Sequence, residues 1–504
     1  MAQPRVPSQL QWLLLLCTAL VALDSAAGRA LSWEPSFGVH ERTAEERKWK
    51  AGLRVVLVLG TGCIAKFDNF EVERQCSEYF DKYSRFSPWE APEPPCTELP
   101  ALRPDRLSTE YALGWHLNCD YRMAYTAILR RVEPYLKKIG WDNYVVVEYL
   151  SEEEKREVPL ADIVIAPQNE FQDDLQSRFP KKKFIVVHTD DQATIHPDLD
   201  VDSDQIVGVF MHTSFTNLEE NNKESPHFMR HCAWMIPPEK MKQADIWMRD
   251  PPISPNGLKK VHTIIPQILR WVYPLDCGGQ GGFVILQNHA FGRNRTFTPP
   301  LSERSVDIAF IGAVGEAQEI LHAPGEHPRE SDPGVVWVES MRSKTGVLNH
   351  RQKAIDALNK VAHKHNLTIV TEHGKWKYPK FINLLQDTKI FVSPFGIGEF
   401  SGKDYEAILA GALLVKPFAT KLRSFPNIYD HTYLLETKMD FSDLEEVVMP
   451  ILSDPKYMQT KGQMIVERGK AHLKAYSEME HYAQHLDHVM EKIARELYPK
   501  TPEL

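Results

Sequence analysis

The stretch that decides the fold is residues 391–417, which read FVSPFGIGEFSGKDYEAILAGALLVKP. Its pattern predicts an apolar strand, a glycine-bearing loop, a helix and a second apolar strand. Gly396 and Gly398 let the backbone turn sharply and approach a ligand closely. The helix that follows aims its unpaired N–H groups and the positive end of its dipole at the loop, which suits a diphosphate. The stretch therefore predicts a Rossmann-like element that binds a nucleotide.

Three residues inside the predicted helix fit that interpretation. Lys403 can place a positive charge beside a diphosphate. Glu406, one turn inside the helix, can accept hydrogen bonds from vicinal hydroxyls such as those of a ribose. Gly411 permits close packing before the next strand. The structural alternative is that Glu406 is a solvated helix residue of an ordinary Rossmann-like domain.

The rest of the second half continues this alternation of strands and helices. A β-α-β-α-β series is the doubly wound pattern of a parallel sheet. Residues 316–333 are predicted to form a surface loop, and the tail 454–497 two long amphipathic helices. Strands are predicted at 306–312, 367–371, 388–393 and 413–416, and helices at 349–365, 378–387 and 404–412.

The first half predicts a second sheet of the same kind. Short runs rich in β-branched residues end in polar or proline turns, and helical or loop segments separate them. Residues 251–300 are rich in proline and glycine and predict a crossover, so the expected lobes are 53–300 and 301–497. The predicted strands are 53–59, 144–149, 162–166, 183–188 and 205–211, with a helix at 121–139.

Residues 391–417 resemble the donor-binding segment of GT-B glycosyltransferases of the group-1 and exostosin-like branches. Those families share a loop of the form S-P-x-G-x-G-E, then a helix with R/K-D-x-E-A-x-x-x-G, then a short apolar strand. The resemblance implies an α/β fold of two Rossmann-like lobes that face a central cleft, with long C-terminal helices that pack back across both. It covers roughly residues 306–497.

The resemblance also implies a role for each matching residue. Glu406 would hold the nucleotide ribose, the glycines and the helix start would face the diphosphate, and Glu399 would lie near the donor sugar. Glu399 and Glu406 are one residue closer together than in many retaining group-1 members, which leaves the stereochemistry open. The donor-binding residues so implied are Gly396, Gly398, Glu399, Lys403, Asp404, Glu406 and Lys416.

Candidates for acid–base catalysis follow two strands of the first half. His188 and Asp190 come after one predicted strand, and His212 after another. The carboxyl ends of parallel strands face the crevice, so any of the three can act as a general base on an acceptor hydroxyl. The alternative for each histidine is a structural side chain satisfied by hydrogen bonds.

The acidic stretch 198–204 alternates aspartates at Asp198, Asp200, Asp202 and Asp204. A D-x-D motif can hold a divalent metal on a nucleotide diphosphate, but such charge runs are usually solvated. We favour an acidic surface loop, since residues 391–417 account for donor binding without metal. No metal or other cofactor is expected, and the donor is a co-substrate.

The N-terminus predicts entry into the secretory pathway. Arg5 precedes an apolar run of about 14 residues, shorter than the ~20 that span a bilayer, and Ser25 opens a segment of small residues. Residues 1–28 are a cleaved signal peptide or a type II signal anchor, and 29–52 a polar linker. The expected location is the ER or Golgi lumen, with secretion as the alternative.

The cysteines and glycosylation tripeptides fit an oxidising lumen. Apart from Cys17 in the leader, six cysteines can form disulfides, or else stay buried thiols. Asn294 and Asn366 each begin an N-x-T acceptor tripeptide. The disulfide candidates are Cys63, Cys76, Cys96, Cys119, Cys232 and Cys277.

Composition bounds the function. The chain has 504 residues, 43% hydrophobic and 25% charged, with a net charge of −9 that gives no basic surface for nucleic acid. The resemblance to GT-B glycosyltransferases implies a hexosyl- or pentosyltransferase acting on a glycan, glycoprotein or glycolipid acceptor. Two alternatives stay open: a secreted carbohydrate-binding relative without catalysis, and another Rossmann-type enzyme such as a nucleotide-sugar epimerase.

Overall fold

The computed structural model describes residues 44–59, 129–130, 132–188, 193–195, 199–224, 247–248, 252–264, 299–312, 347–372, 378–396, 399–476 and 479–498. By its contacts the chain divides into a short unit, Met1–Lys48, and a large one, Trp49–Leu504. Within the described ranges, no helix has both the length and the apolar character that a membrane span requires. The predicted leader and the predicted loop 316–333 lie outside these ranges.

The first sheet is built from six parallel strands. They are β1 (Val55–Leu59), β2 (Tyr144–Glu148), β3 (Ile163–Pro167), β4 (Lys183–Val187), β5 (Ile206–Met211) and β9 (Val261–Thr263). Their order across the sheet is β2-β1-β3-β4-β5-β9, and every neighbouring pair is parallel.

Strand β1 shows why these residues form a central strand. Val55 and Leu57 belong to one buried cluster, while Val56 and Val58 belong to another on the opposite face. Successive side chains of a strand alternate between the two faces of the sheet, so a continuous apolar run is buried only when both faces are covered.

The second sheet has five parallel strands. They are β10 (Val306–Ile311), β11 (Ile369–Glu372), β12 (Thr388–Val392), β13 (Leu413–Pro417) and β15 (Leu434–Thr437). Their order is β11-β10-β12-β13-β15, again parallel throughout. In both sheets the chain reverses its direction of winding beside the first strand, which is the doubly wound order and leaves a crevice at the carboxyl ends.

Helices and two small ribbons complete the described structure. Strand β6 (Thr213–Phe215) pairs with β14 (Leu422–Ser424), and β7 (Lys223–Glu224) with β8 (Trp247–Met248). The helices are α1 (Ala44–Gly52), α2 (Glu133–Lys138), α3 (Glu152–Glu157), α4 (168–178), α5 (Leu218–Asn221), α6 (Pro255–Lys259), α7 (Val347–His365), α8 (Tyr378–Gln386), α9 (Gly402–Ala410), α10 (Leu444–Leu452), α11 (455–475) and α12 (Met479–Leu497).

Among the described residues, a two-stranded ribbon and the C-terminal helix connect the lobes. Strand β6 of the first lobe and β14 of the second pair antiparallel, with Phe215 opposite Leu422. The C-terminal helix α12 returns to the first lobe, where Asp487 accepts a hydrogen bond of 2.7 Å from the Trp141 indole. The hydroxyl of Tyr498 donates to the Asp162 carbonyl oxygen at 3.1 Å. The predicted α/β class with two Rossmann-like lobes is confirmed, and so is the predicted return of the C-terminal helices.

The segment predicted as a polar linker, 29–52, ends in helix α1, whose Lys50 is fully buried. The Lys50 ammonium pairs with Asp487 at 2.6 Å and with Glu491 at 2.7 Å. Burial of a charge is tolerated when it is paired, and both partners come from α12. Composition alone predicted solvation because these partners lie far along the chain.

Other element boundaries differ by small amounts. Helix α9 begins at Gly402, two residues before the predicted start, and ends at Ala410. The described part of the predicted helix 121–139 holds α2, and the lobe boundary predicted at 300 falls between the last strand of the first sheet and the first of the second.

Candidate functional site

The N-terminus of α9 opens on the glycine-bearing loop that follows β12. Ser401 caps the helix by accepting from the Lys403 N–H, and Asp404 returns the contact to the Ser401 N–H, which forms a capping box. At the other end Gly411 adopts φ +78, where a Cβ would lie 2.7 Å from the Arg304 guanidinium. The helix is therefore fixed at both ends, and its dipole points at the loop.

Behind the helix start lies a buried polar network centred on Asp404. One carboxylate oxygen accepts from the Ser393 hydroxyl, and the other accepts from Tyr429 at 2.7 Å. The Lys416 ammonium lies 2.9 Å from the same carboxylate, and both side chains are fully buried. Burial lowers the pKa of Lys416 and the Asp404 charge opposes this, while burial raises the pKa of Tyr429.

The side chains of Asp404 and Lys416 thus face each other inside the lobe. Both residues were predicted to bind the donor. Because the Asp404 side chain is used inside the lobe, only its backbone at the helix start is left to face the donor. Their network fixes the direction of that start.

Lys403 and Arg351 bring two positive charges to the loop. The Lys403 ammonium donates to the Ile311 carbonyl oxygen at 2.7 Å and lies 5.6 Å above the Phe381 ring centre. Arg351 donates to the Phe395 carbonyl oxygen at 3.2 Å. Burial and the nearby Arg351 charge together lower the pKa of Lys403 to about 8, against the opposing charges of Glu406 and Asp404. Since the two cations repel each other, an anion beside them would be favoured.

Arg351 is a residue that the sequence analysis missed. It lies in the first turns of α7, and strands β11 and β12 separate it from the loop along the chain. A basic residue in an amphipathic helix reads as solvated, and only the contact with Phe395 places it at the loop.

The remaining donor residues predicted from the sequence lie on the same side of the lobe. Glu406 is on α9, is 5% exposed, and its charge acts on Lys403. Gly396 is half-buried in the loop that follows β12, whereas Gly398 lies outside the described residues. The structure therefore brings Glu406 and Lys403 together on α9.

Glu399 reaches across to the first lobe. Its carboxylate accepts a hydrogen bond of 2.7 Å from the Ala193 N–H, and the side chain is fully buried. The ring of the next residue, Phe400, lies edge-on to His212 with centres 5.6 Å apart. The glycine-bearing loop of the second lobe thus ends against the carboxyl ends of the first sheet.

Both predicted catalytic histidines lie at that edge of the first sheet. His188 follows β4, and its backbone N–H donates to the Phe210 carbonyl oxygen at 2.9 Å. His212 lies between β5 and β6, with Nδ1 2.9 Å from the Thr213 hydroxyl. Both are buried, and Asp190 lies outside the described residues. Their role as general base stays a prediction.

The edge also holds polar residues that the sequence analysis did not select. Gln168 and Glu170 open helix α4 directly after β3 and are 3% and 8% exposed. Buried polar side chains at the carboxyl end of a parallel strand suit an acceptor site. The available sequence signal for these two residues was their position directly after an apolar run that predicts a strand.

The acidic stretch packs as part of the first lobe. The Asp202 carboxylate accepts from the Ser254 N–H at 2.8 Å and from its hydroxyl, which ties it to the start of α6. Asp200 and Asp204 are exposed, and Asp198 lies outside the described residues. In the ranges that the structure covers, no cluster of metal-ligating side chains is found.

Of the predicted modification sites, the structure describes Asn366. It is exposed directly after α7 and has a φ of +53. Asn294 and the six candidate disulfide cysteines lie outside the described residues.

The lobes, the loop–helix element and the returning C-terminal helix together define a GT-B fold. Neither a protein-family model nor a curated protein matches the chain. Similar solved structures include a glycosyltransferase from Rickettsia africae ESF-5 (11% identity, 89% of this chain and 99% of that one, TM-score 0.33). Another is sucrose-phosphate synthase from Thermosynechococcus elongatus (11% identity, 73% and 93%, TM-score 0.32). The fold assignment rests on the strand orders and connections described above.

Proposed function

We propose that this chain is a glycosyltransferase that binds a nucleotide sugar in the second lobe and a glycan or glycoconjugate acceptor in the first. The observation that carries the proposal is that Arg351 contacts the glycine-bearing loop, the α9 N-terminus follows it, and Lys403 lies at the adjacent end of β10. A diphosphate leaving group needs cations and N–H donors placed in advance where its charge develops. Glu406, one turn inside the helix, supplies the acceptor oxygens that a ribose requires.

In this proposal transfer takes place between the lobes. The acceptor hydroxyl lies at the carboxyl ends of β4 and β5, where His188, His212 or Asp190 takes its proton. The departing diphosphate stays on Lys403, Arg351 and the helix start. These groups supply the positive charge that a divalent metal supplies in other transferases, so we propose a metal-independent reaction. The transferred unit is a hexose or pentose.

Nucleotide binding tests this assignment directly. At a hundred times its dissociation constant, a nucleotide or nucleotide sugar should stabilise the protein by about 2.7 kcal/mol. We expect Glu406→Ala to weaken binding at least tenfold, equivalent to about 1.4 kcal/mol, because the ribose loses its partner. The measurement is a thermal shift of residues 29–504 against a panel of nucleotides and nucleotide sugars.

The control for that experiment is Glu467→Ala, which removes an exposed carboxylate from α11 of the same lobe. Unchanged nucleotide binding in Glu406→Ala would remove the site assignment. Sugar binding without nucleotide binding would favour the carbohydrate-binding relative. Alteration of a nucleotide sugar without an acceptor would favour an epimerase.

We propose the secretory-pathway lumen as the location, either through a cleaved leader or a membrane anchor. The support is the predicted leader and the exposure of Asn366 in its acceptor tripeptide. We expect the chain expressed in a secretory host to lose mass after treatment with a peptide N-glycosidase, and Asn366→Gln to remove one glycan. Asn349→Gln, outside any acceptor tripeptide, is the control, and an unchanged mass in wild type would contradict the proposal.

A further inference from the structure

The contact between Glu399 and Ala193 joins the two lobes at their functional edges. Glu399 precedes helix α9 of the second lobe, and Ala193 follows β4 of the first. The carboxylate accepts from the Ala193 N–H at 2.7 Å, and both residues are fully buried. A hydrogen bond between an ionised acceptor and a backbone N–H, shielded from water, is among the stronger kinds.

Ala193 is held on its other side as well. Its carbonyl oxygen accepts from the Phe215 N–H at 3.2 Å, and Phe215 belongs to the β6–β14 ribbon that joins the lobes. The peptide at Ala193 is therefore fixed by one contact to the second lobe and one to the ribbon. This fixes the backbone of the first lobe at a point that follows β4 in the chain.

The Glu399 charge is also felt by groups at the base of the donor helix. This charge acts on Lys416 and on Tyr429, the two groups that also contact Asp404. Asp404 forms the capping box at the start of α9. Glu399 and Asp404 thus act on the same two groups, Lys416 and Tyr429, behind the start of α9.

We infer that Glu399 is a positioning residue, which fastens the Ala193 backbone of the first lobe onto the second lobe, at the sheet edge where His188 and His212 lie. The positioning role deepens the proposed function. Only the activity test of this role rests on that function. The Glu399 carboxylate acts here by accepting a hydrogen bond from a backbone N–H. The role therefore requires an acceptor oxygen at this position, and it does not require a negative charge beside the donor sugar.

Amide hydrogen exchange of the full chain tests the contact without any catalytic assay. We expect the Ala193 amide to be protected in wild type and to exchange at least tenfold faster in Glu399→Ala. Glu399→Gln, which keeps an acceptor oxygen, should stay within about threefold of wild type. Glu436→Ala, which removes a half-buried carboxylate elsewhere in the second lobe, is the matched control and should leave Ala193 unchanged.

The activity arm separates positioning from contact with the sugar. Once the donor is known, Glu399→Ala should lower kcat by ten- to a hundredfold with the donor KM within about threefold, and Glu399→Gln should retain most of kcat. A Gln variant as inactive as the Ala variant, with Ala193 still protected, would overturn the inference. Rapid exchange of the Ala193 amide in the wild-type protein would also overturn the inference, and this measurement does not depend on the folding of any variant. If no nucleotide binds, the proposed function fails while the exchange result still decides the contact.

Discussion

Asp404→Asn is expected to destabilise the protein by about 3–5 kcal/mol, the range for breaking a buried ion pair from one side. The Asp404 carboxylate accepts from Ser393 and Tyr429 and pairs with Lys416 at 2.9 Å. Asparagine has nearly the same shape but no charge, so the Lys416 ammonium would stay buried without a counter-ion at this position. Chemical denaturation followed by circular dichroism measures the change.

A second substitution shows whether the buried cation is the cause. Adding Lys416→Met to Asp404→Asn should recover part of the lost stability, because the methionine removes the uncompensated charge and keeps the packing. Asp356→Asn replaces an exposed aspartate of α7 and should change stability by less than about 0.5 kcal/mol. An Asp404→Asn variant within about 1 kcal/mol of wild type, or a double variant weaker than the single one, would contradict this account.

The network around Asp404 also explains why a buried ion pair lies at the base of a binding loop. A buried ion pair contributes little net stability compared with apolar residues of the same volume. What it provides here is direction: the two Asp404 oxygens are committed to Ser393 on one side and Tyr429 on the other. The start of α9 is therefore fixed before a ligand arrives, and preorganised N–H donors are the ones that stabilise a developing charge.

The sequence predicts those parts of the fold that depend on local pattern. The run of valines and leucines in β1 can be buried only in the middle of a covered sheet, and the glycines of 391–417 mark a turn beside a ligand. Even the corrected start of α9 had a local signal, since Ser401 and Asp404 have the spacing of a capping box. The prediction placed the start too late because it began the helix at the charged residues.

The parts that could not be predicted depend on contacts between distant segments. Lys50 is buried because Asp487, 437 positions away, meets it. Ala193 carries no chemical signal, and its role follows from the position of its N–H beside Glu399, 206 positions away. Local composition contains no information about such pairings, so Lys50 reads as a solvated residue and Ala193 as an ordinary loop residue.

Acidification from pH 7 to pH 5 is expected to destabilise the protein strongly through three half-buried histidines whose pKa values are lowered. Burial lowers the pKa of His262, His472 and His485 to about 4 in each case. Lys492 and His485 also depress the pKa of His262, and His488 that of His485, while Asp430 opposes the shift of His472. His485 stacks on Phe425 at 4.3 Å and His472 on Tyr433 at 4.5 Å, so each ring is enclosed by packing.

The direction follows from the lowered values. An unfolded histidine titrates near pH 6.5, so between pH 6.5 and pH 4 the unfolded chain binds protons that the folded one does not. The stabilisation is complete above pH 6.5 and is lost as the pH falls towards 4. At pH 5 each histidine accounts for about 2 kcal/mol, and the three together for up to about 6 kcal/mol.

Denaturation midpoints at pH 7 and pH 5 measure this loss, and a neutral substitution assigns its source. His472→Gln should reduce the loss by about 2 kcal/mol, because glutamine takes up no proton in either state. His363→Gln, at an exposed position on α7, should retain the whole loss. Equal stability at both pH values would contradict this account, and so would an unchanged loss in His472→Gln. Either result would mean that His472 stays neutral in the unfolded chain or is solvated in the folded one. The second alternative conflicts with its packing between Tyr433 and Tyr476, so the experiment also tests whether α11 lies against the second lobe as described.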